Sequence, residues 1–385
     1  MSALRGARVT TVQVGMGWQP SKAGGLNRMF YELARRLPEV GVDVHGLVVG
    51  GPEVGTESGG AVRAFSPGGA SMWSRVVAAR REVRALVAAH PDAVLVSHFT
   101  PYGIALLGPS RRRPLVVHFH GPWYDESRSE GRGAFSALLR RAIERNVYRR
   151  ASICIVLSRA FGTLLERDFG VAAERIHVIP GGVDTARYAS LPSRADARRA
   201  LGWDSDARIV LAVRRLVHRT GVDRLIGAVP AIHERVAGLQ VLIAGEGPDR
   251  AALEARIAAL GVGSSVRLVG FLPEVDLPLA YRAADLTVVP SIELEGFGLI
   301  VPESLAAGTP VLVTPVGGLP ETVERLSGDL ILESATAEAI GTGIADALDG
   351  RRALPSAEQC AAFAREQYDW SVITRQVATL LKSVA

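Results

Sequence analysis

The sequence has little cysteine, almost no lysine and no long apolar run. Its 385 residues include two cysteines, which cannot form a disulfide framework or a metal cluster, so we expect a reducing, cytoplasmic compartment. No apolar run approaches the ~20 residues of a membrane span, and the start of the chain has no apolar region typical of a signal peptide. Phosphate loops of the GxxxxGK[ST] kind and nucleic-acid-binding modules are also absent, so we expect no nucleic-acid partner.

The positive charge of the chain comes almost entirely from arginine. The formal net charge is +5, and Lys22 and Lys382 are the only lysines. This imbalance indicates genome composition more than selection for a basic surface. The helix-like segment "RRAIERNVYRR" places its arginines on a solvated face. Peripheral contact with the inner membrane surface therefore remains an alternative to a purely cytoplasmic protein.

Short β-branched runs alternate with amphipathic segments along the whole chain. "ARVTTVQVG" predicts a strand and "LNRMFYELARRL" a helix, and further strands follow down to "DLILES". This alternation predicts parallel sheets covered on both faces. The rhythm breaks near residues 181–203, where "LPSRADARRALGWDSDA" predicts a linker that includes a short helix. The glycine-rich "GGPEVGTESGG" predicts a surface loop.

The predicted fold is therefore α/β, with two Rossmann-like, doubly wound parallel-sheet domains. We predict the domains at 1–182 and 183–367, and a C-terminal helix at 368–385 that packs back on the first domain. Ligands of open parallel sheets bind at the carboxyl ends of the strands. We therefore expect the site in the cleft between the two domains, among polar residues that directly follow strands.

Two such positions occur in the first half of the chain. Gly24 and Gly25 lie between the first strand and a helix, where backbone amides can approach a phosphate. His118 and His120 alternate in "VVHFHGPW" and share one face. His120 ends its strand and precedes a glycine, so it is the better functional candidate, whereas His118 is interpreted as structural.

In the second half, Glu295 and Glu303 flank the otherwise apolar and glycine-rich segment "ELEGFGLIVPESL". Its glycines favour a loop, so Glu303 is predicted just inside a helix that begins near residues 299–301. The helix N-terminus between the two carboxylates suits an anion, and the carboxylates suit hydroxyl groups. Arg214, Arg215 and Arg219 crowd another loop before a helix, an arrangement suited to a diphosphate. Together these features suggest a sugar nucleotide.

Two competing motifs are weaker. "IAGEGPDRAAL" resembles half of a dinucleotide fingerprint, but Arg250 replaces the third glycine, which disfavours a nicotinamide oxidoreductase. The acidic "DSD" at residues 204–206 lies in the predicted linker, so we expect no metal site there.

Taken together, these segments resemble the retaining glycosyltransferases of the two-Rossmann-domain (GT-B) architecture, family four. The most specific match is "PSIELEGFGLIVPESLAAGTPVLVTPVGGLPE", which contains two glutamates separated by seven residues and the segments that follow them in the family. The early glycine pair, "IPGGVD", "GEGP" and "VGFLP" support it. The resemblance covers nearly the whole chain.

The resemblance implies a role for each matching position. Glu295 would bind hydroxyls of the donor sugar, Glu303 the ribose, and His120 the reacting side of the sugar. Catalytic roles would fall to His120, Glu295 and Arg215. The remaining donor positions would border the phosphates or the base: Gly24, Gly25, Arg219, Phe271, Leu272, Phe297, Gly298, Leu299 and Ile300.

One departure from the family pattern affects the phosphate site. The family often has Gly-Arg-Leu and then a lysine before glycine, whereas this chain has Arg214 at the glycine position and Thr220 at the lysine position. Arg215 keeps the arginine, and Arg219 is the candidate for the missing charge.

The resemblance implies retaining transfer of a hexose from a nucleoside-diphosphate sugar, with uridine favoured over guanosine, and with no cofactor and no metal. A sugar-nucleotide epimerase or phosphorylase, or a non-catalytic sugar-nucleotide-binding protein, remains an alternative. The acceptor, whether glycan, glycolipid or small molecule, is left open. Its candidate contacts lie in two loops of the first domain and are Trp123, Tyr124 and His98.

Overall fold

The computed structural model describes residues 8–19, 21–22, 24–123 and 134–385. It divides into two compact units. The N-terminal unit comprises residues 1–181 and 370–385, and the C-terminal unit comprises residues 182–369.

The N-terminal unit contains a seven-stranded sheet of order β3-β2-β1-β4-β5-β6-β7, in which every neighbouring pair is parallel. Its strands are β1 (Val9–Gly17), β2 (Val42–Val49), β3 (Val62–Ser66), β4 (Val94–Ser97), β5 (Leu115–Phe119), β6 (Ile153–Val156) and β7 (Ile176–Val178). Its helices up to β7 are α1 (Gly25–Arg36), α2 (Glu53–Glu57), α3 (Met72–Ala89), α4 (Thr100–Gly103), α5 (Ala134–Arg150) and α6 (Arg159–Phe169).

The two faces of this sheet bury separate apolar clusters. In β4, Leu95 belongs to one cluster, and Val94 and Val96 belong to the other. In β5, Val117 belongs to the same cluster as Leu95, and Val116 belongs to the same cluster as Val94 and Val96. Successive side chains of a strand point to opposite faces, so a strand covered on both faces is mostly apolar at successive positions. This explains the continuous apolar runs in the sequence.

The C-terminal unit contains a five-stranded parallel sheet of order β10-β9-β8-β11-β12. Its strands are β8 (Arg208–Val213), β9 (Leu239–Ala244), β10 (Val266–Gly270), β11 (Leu286–Val289) and β12 (Val311–Val313). Its helices are α7 (Arg194–Leu201), α8 (Val222–His233), α9 (Arg250–Ala259), α10 (Leu277–Ala283), α11 (Ile300–Ala306), α12 (Ala337–Leu348) and α13 (Ala357–Tyr368).

The segment predicted as a linker is part of the C-terminal unit, so the linker prediction is wrong, although the short helix predicted within it is present as α7. Helix α7 packs against α10. Arg198 of α7 is 5% exposed and donates to the backbone oxygen of Ala283 at 2.9 Å and to Asp285 at 2.7 Å. A buried arginine bonded in this way ties the segment to the sheet, because breaking the bonds would leave a charge without a partner in the protein interior.

Three local predictions also differ from the structure. β3 was not predicted, and the predicted surface loop contains helix α2. The segment "DLILES" is not a strand: Ile331 forms one isolated bridge to Val313, between a 3₁₀ turn at Gly328–Leu330 and a polar bend. Whether a short segment forms a strand depends on the neighbouring strand that it pairs with, and the local sequence does not encode that neighbour.

The last helix, α14 (Trp370–Ser383), packs into the N-terminal unit. Trp370, Ile373, Val377 and Leu381 are at most 2% exposed and lie at helical spacing in the cluster that also contains Leu33 of α1. Within the part of the chain that the structure describes, no helix is both long and apolar enough to cross a membrane.

Shortening Ile373 to alanine should lower the free energy of unfolding by about 2–5 kcal/mol, because it leaves a cavity in this cluster. Gln376→Ala, on the exposed side of the same helix, should change it by less than about 0.5 kcal/mol. Urea denaturation followed by circular dichroism measures both values. Equal losses in the two variants would contradict the packing of α14.

Candidate functional site

A buried ion pair joins the loops that follow β8 and β11. Arg214 Nη2 lies 2.5 Å from Glu295 Oε2, and the two side chains are 9% and 13% exposed. Ser291 Oγ accepts from Arg214 Nη2 at 2.6 Å and donates to Glu295 Oε2 at 2.9 Å. Because β8 and β11 are neighbours in the sheet, their following loops meet at its carboxyl edge. The closed network of three side chains fixes the direction of the Glu295 carboxylate.

Glycines let backbone segments approach both members of this pair. A Cβ on Gly245 would lie 1.9 Å from the oxygen of Arg214, and a Cβ on Gly317 would lie 2.1 Å from the oxygen of Glu295. Gly245 and Gly317 also have positive φ values of 135° and 57°. The amide of Gly318 donates to the oxygen of Glu295 at 2.9 Å. The "GEGP" and "GGLPE" segments therefore support the loops that carry Arg214 and Glu295.

Glu303 lies in the first turn of α11, as predicted, and is 6% exposed. The hydroxyl of Tyr281 donates to its Oε2 at 2.8 Å. The preceding loop contains Phe297, which is 4% exposed and packs edge-on against Tyr368, and Gly298, with a φ of 76°. No side chain caps the start of α11 among the described residues.

The other donor candidates of the C-terminal unit are more exposed. Arg215 is exposed, and Arg219 is half-buried with its Nη1 3.4 Å from the oxygen of Leu294. Phe271 is 67% exposed and Leu272 is half-buried, as are Leu299 and Ile300.

Thr220, at the lysine position of the family pattern, is turned inward. It is 3% exposed, and its hydroxyl contacts the oxygens of Val217 at 2.6 Å and Arg215 at 2.9 Å. Thr220 therefore does not supply the charge of the family's lysine, whereas Arg214 contacts Glu295. The sequence groups Arg214 with Arg215 and Arg219 as a candidate diphosphate site, but it does not predict the contact of Arg214 with Glu295, and it does not single out Ser291.

In the N-terminal unit, three histidines stack where β4 and β5 end. The rings of His98 and His118 lie 4.1 Å apart with an interplanar angle of 13°, and His120 lies 6.1 Å from His118. His98 is 1% and His118 3% exposed, whereas His120 is half-buried. Burial lowers the pKa of all three imidazoles, that of His120 to about 4, so the stack is neutral at pH 7.

Gly24 and Gly25 follow β1 in the same unit. Gly24 precedes α1 with a φ of 144° and a ψ of 147°, and a Cβ there would meet nothing within 4 Å. The backbone angle alone therefore favours glycine at this position, and the space beside it is open.

The acceptor candidates are placed differently from one another. Trp123 is half-buried, its amide donates to Glu144 Oε1 at 2.9 Å, and the guanidinium of Arg140 lies 4.5 Å from its ring centroid. His98 is covered by His118 and Phe30, so it is not in position to touch an acceptor. Tyr124 lies outside the described residues.

Replacing Gly317 by alanine should lower the free energy of unfolding by at least about 2 kcal/mol, because its Cβ would collide with the backbone of Glu295. Gly263→Ala is the matched control, since a Cβ there has its nearest neighbour at 3.9 Å. Thermal unfolding of both variants checks this. A stable Gly317→Ala variant would mean that the two backbone segments do not meet as described.

Family models match both units of the chain. Residues 193–367 match the model described as "Glycosyl transferases group 1", and residues 23–187 match that of "Glycosyltransferase Family 4".

Curated relatives are similar over half to three quarters of the chain. A GDP-mannose-dependent alpha-(1-6)-phosphatidylinositol monomannoside mannosyltransferase of Mycolicibacterium smegmatis is 31% identical over 290 residues, 72% of this chain and 73% of the relative. A 2-deoxystreptamine glucosyltransferase of Streptomyces kanamyceticus is 32% identical over 192 residues, 49% of each chain.

Solved structures share the fold over nearly the whole length. Alr3699/HepE from Anabaena, in complex with UDP-glucose, has a TM-score of 0.77 at 23% identity and covers 98% of this chain and 100% of its own. Sucrose-phosphate synthase from Thermosynechococcus elongatus has a TM-score of 0.80 at 22% identity, with 98% and 99% covered.

Proposed function

Because the chain belongs to the GT-B glycosyltransferases of family four, we propose that it transfers a hexose from a nucleoside-diphosphate sugar to an acceptor hydroxyl and retains the α configuration. The observation that carries the proposal is the fixed Glu295 carboxylate beside Arg214. Uridine was favoured from the sequence, but the mannosyltransferase relative is named for GDP-mannose, so both bases enter the test.

In this proposal, Glu295 binds the sugar through its free oxygen. Both hydrogen bonds that its carboxylate receives from described residues go to Oε2, which leaves Oε1 to accept from sugar hydroxyls. Glu303 binds the ribose, and Tyr281 restrains its carboxylate. The base lies against Phe271 and Leu272. Buried and oriented acceptors of this kind select a polyhydroxyl ligand, because each unmatched carboxylate oxygen would cost free energy.

Positive groups stabilise the charge that develops on the leaving diphosphate. The segment after β8 contains three arginines, Arg214, Arg215 and Arg219. Backbone amides from Phe297 to Ile300 lie at the start of α11. Fixed donors that face a developing charge lower the barrier without reorganisation. We propose that these groups make a divalent metal unnecessary for the transfer.

The reaction breaks the bond between the anomeric carbon and the phosphate oxygen and forms a bond to the acceptor oxygen on the same face. The acceptor's hydroxyl proton passes to the departing diphosphate, so no enzyme nucleophile is required. In the N-terminal unit, neutral His120 bonds a sugar hydroxyl, and the open backbone at Gly24 and Gly25 approaches the phosphate. The protein's contribution is positioning and charge stabilisation.

Thermal stability with UDP, GDP, ADP and NADH tests the donor site. A nucleotide at a hundred times its dissociation constant stabilises the protein by about 2.7 kcal/mol. We expect a shift with one diphosphate that is lost in Glu303→Ala and weakened in Arg214→Ala. Glu338→Ala, an exposed acid in the first turn of α12, is the control and should keep the shift.

The outcomes separate the alternatives. A thermal shift with NADH and with none of the diphosphates would favour a nicotinamide oxidoreductase over a glycosyltransferase. Nucleotide binding without hydrolysis or transfer of any UDP- or GDP-hexose would favour a non-catalytic binding protein. Conversion of the donor without an acceptor would favour an epimerase, and release of a sugar phosphate would favour a phosphorylase.

We propose cytoplasmic residence with peripheral contact to the membrane through α3. Trp73 and Val77 lie four residues apart on the outer side of this helix and are 78% and 63% exposed, and Arg80 and Arg84 are exposed further along it. Tryptophan favours the membrane interface, and arginine is attracted by anionic lipid.

Sedimentation with vesicles tests this contact. The protein should bind vesicles that contain phosphatidylglycerol, and Trp73→Ser/Val77→Ser should reduce the bound fraction several-fold. Leu260→Ser, on the C-terminal unit and 39% exposed, is the control. Equal binding by the double variant and the original chain would exclude α3 as the contact.

A further inference from the structure

We propose that His98, His118 and His120 form a binding site for a divalent transition metal such as Zn²⁺. One ring nitrogen of each residue can be chosen so that all three lie within 4.8 Å of one another. Three imidazoles from two strands are a donor set that suits zinc, copper, nickel and cobalt, whereas Mg²⁺ and Ca²⁺ prefer oxygen ligands.

The strand pairing explains how the three side chains come together. β4 and β5 are parallel neighbours in register, with Val96 opposite Val116 and Ser97 opposite Val117. One residue further along, His98 stands beside His118. Because side chains alternate along a strand, His120 shares the face of His118.

A chain of hydrogen bonds determines which nitrogen of His98 is available. The hydroxyl of Thr11 donates to the oxygen of Asp43 at 2.8 Å, so it accepts from Gln13 Nε2 at 3.0 Å. The other amide atom, Gln13 Oε1, then accepts from His98 Nε2 at 3.2 Å. The proton of His98 is therefore on Nε2, and Nδ1 carries a lone pair. Such an outer partner fixes the orientation of a metal-ligating histidine.

Three nitrogens of the cluster lack hydrogen-bond partners within the described residues. They are buried, and they are Nδ1 of His98, Nδ1 of His118 and Nε2 of His120. Buried polar atoms without partners cost free energy, and a metal ion would use such lone pairs. Half-buried His120 provides the way in.

Binding requires a local adjustment of the rings. Tetrahedral zinc with bonds of about 2.0–2.1 Å brings its ligand nitrogens to about 3.4 Å from one another. The rings now lie within 10–22° of parallel, so they must tilt until their planes meet at the ion. Three histidines leave a fourth position open for water.

The metal is expected to inhibit the enzyme rather than assist it. This consequence rests on the proposed function, in which His120 bonds the donor sugar, because a nitrogen held by zinc cannot do so. Metal binding itself does not depend on that function, so the two can fail separately.

Titration with Co²⁺ tests the site. The full chain is prepared without a histidine tag and is freed of metal by chelation before the titration. We expect one equivalent to bind with the visible absorption of tetrahedral cobalt, Zn²⁺ to displace it and Mg²⁺ to leave it unchanged. His118→Asn and His120→Asn should each weaken binding at least tenfold. Gln13→Leu should weaken it about 10–100-fold through His98.

His45→Asn is the control, because His45 and His90 form a second stacked pair in the same unit, with ring centroids 3.8 Å apart. Circular dichroism verifies that each variant is folded, and half-buried His120 is the position most tolerant of replacement. Absence of one-to-one binding below about 1 mM, or binding that is unchanged in His120→Asn, would overturn the proposal.

Discussion

The ion pair between Arg214 and Glu295 is the interaction on which the candidate donor site depends. It joins the loops after two neighbouring strands of the C-terminal sheet, and both side chains are almost fully buried. Removing one partner of a buried pair leaves a charge without compensation and costs about 3–5 kcal/mol. Ser291 completes the pair, so the carboxylate has one direction instead of many.

The close approach of backbones makes this pair possible. Gly245 lies against Arg214 and Gly317 against Glu295, where any side chain would collide with a backbone oxygen. The glycines of the sequence motifs therefore act on the supporting loops. This gives a physical role to positions that never touch a ligand in the proposed mechanism.

In the N-terminal unit, the alternation of side chains along the strands brings polar residues together at one edge of the sheet. In the central strands, one face buries aliphatic side chains continuously, and at the carboxyl edge the same parity places Gln13, His98 and His118 side by side. Neutral histidines tolerate this burial because desolvation holds their pKa values low. The same arrangement leaves lone pairs without partners, which is why it is suited to a transition metal.

The sequence alone determined the two parallel α/β sheets, the helix start between Glu295 and Glu303 and the family, because strand periodicity, glycine loops and ordered motifs are local signals. Only the tertiary structure decided that Arg214 contacts Glu295, that Thr220 turns inward and that His98 joins two other histidines. It also decided that residues 194–201 pack against α10 rather than link two domains. Those features depend on which strands are neighbours and on how closely two loops approach. The spacing of residues along one segment does not determine either of these.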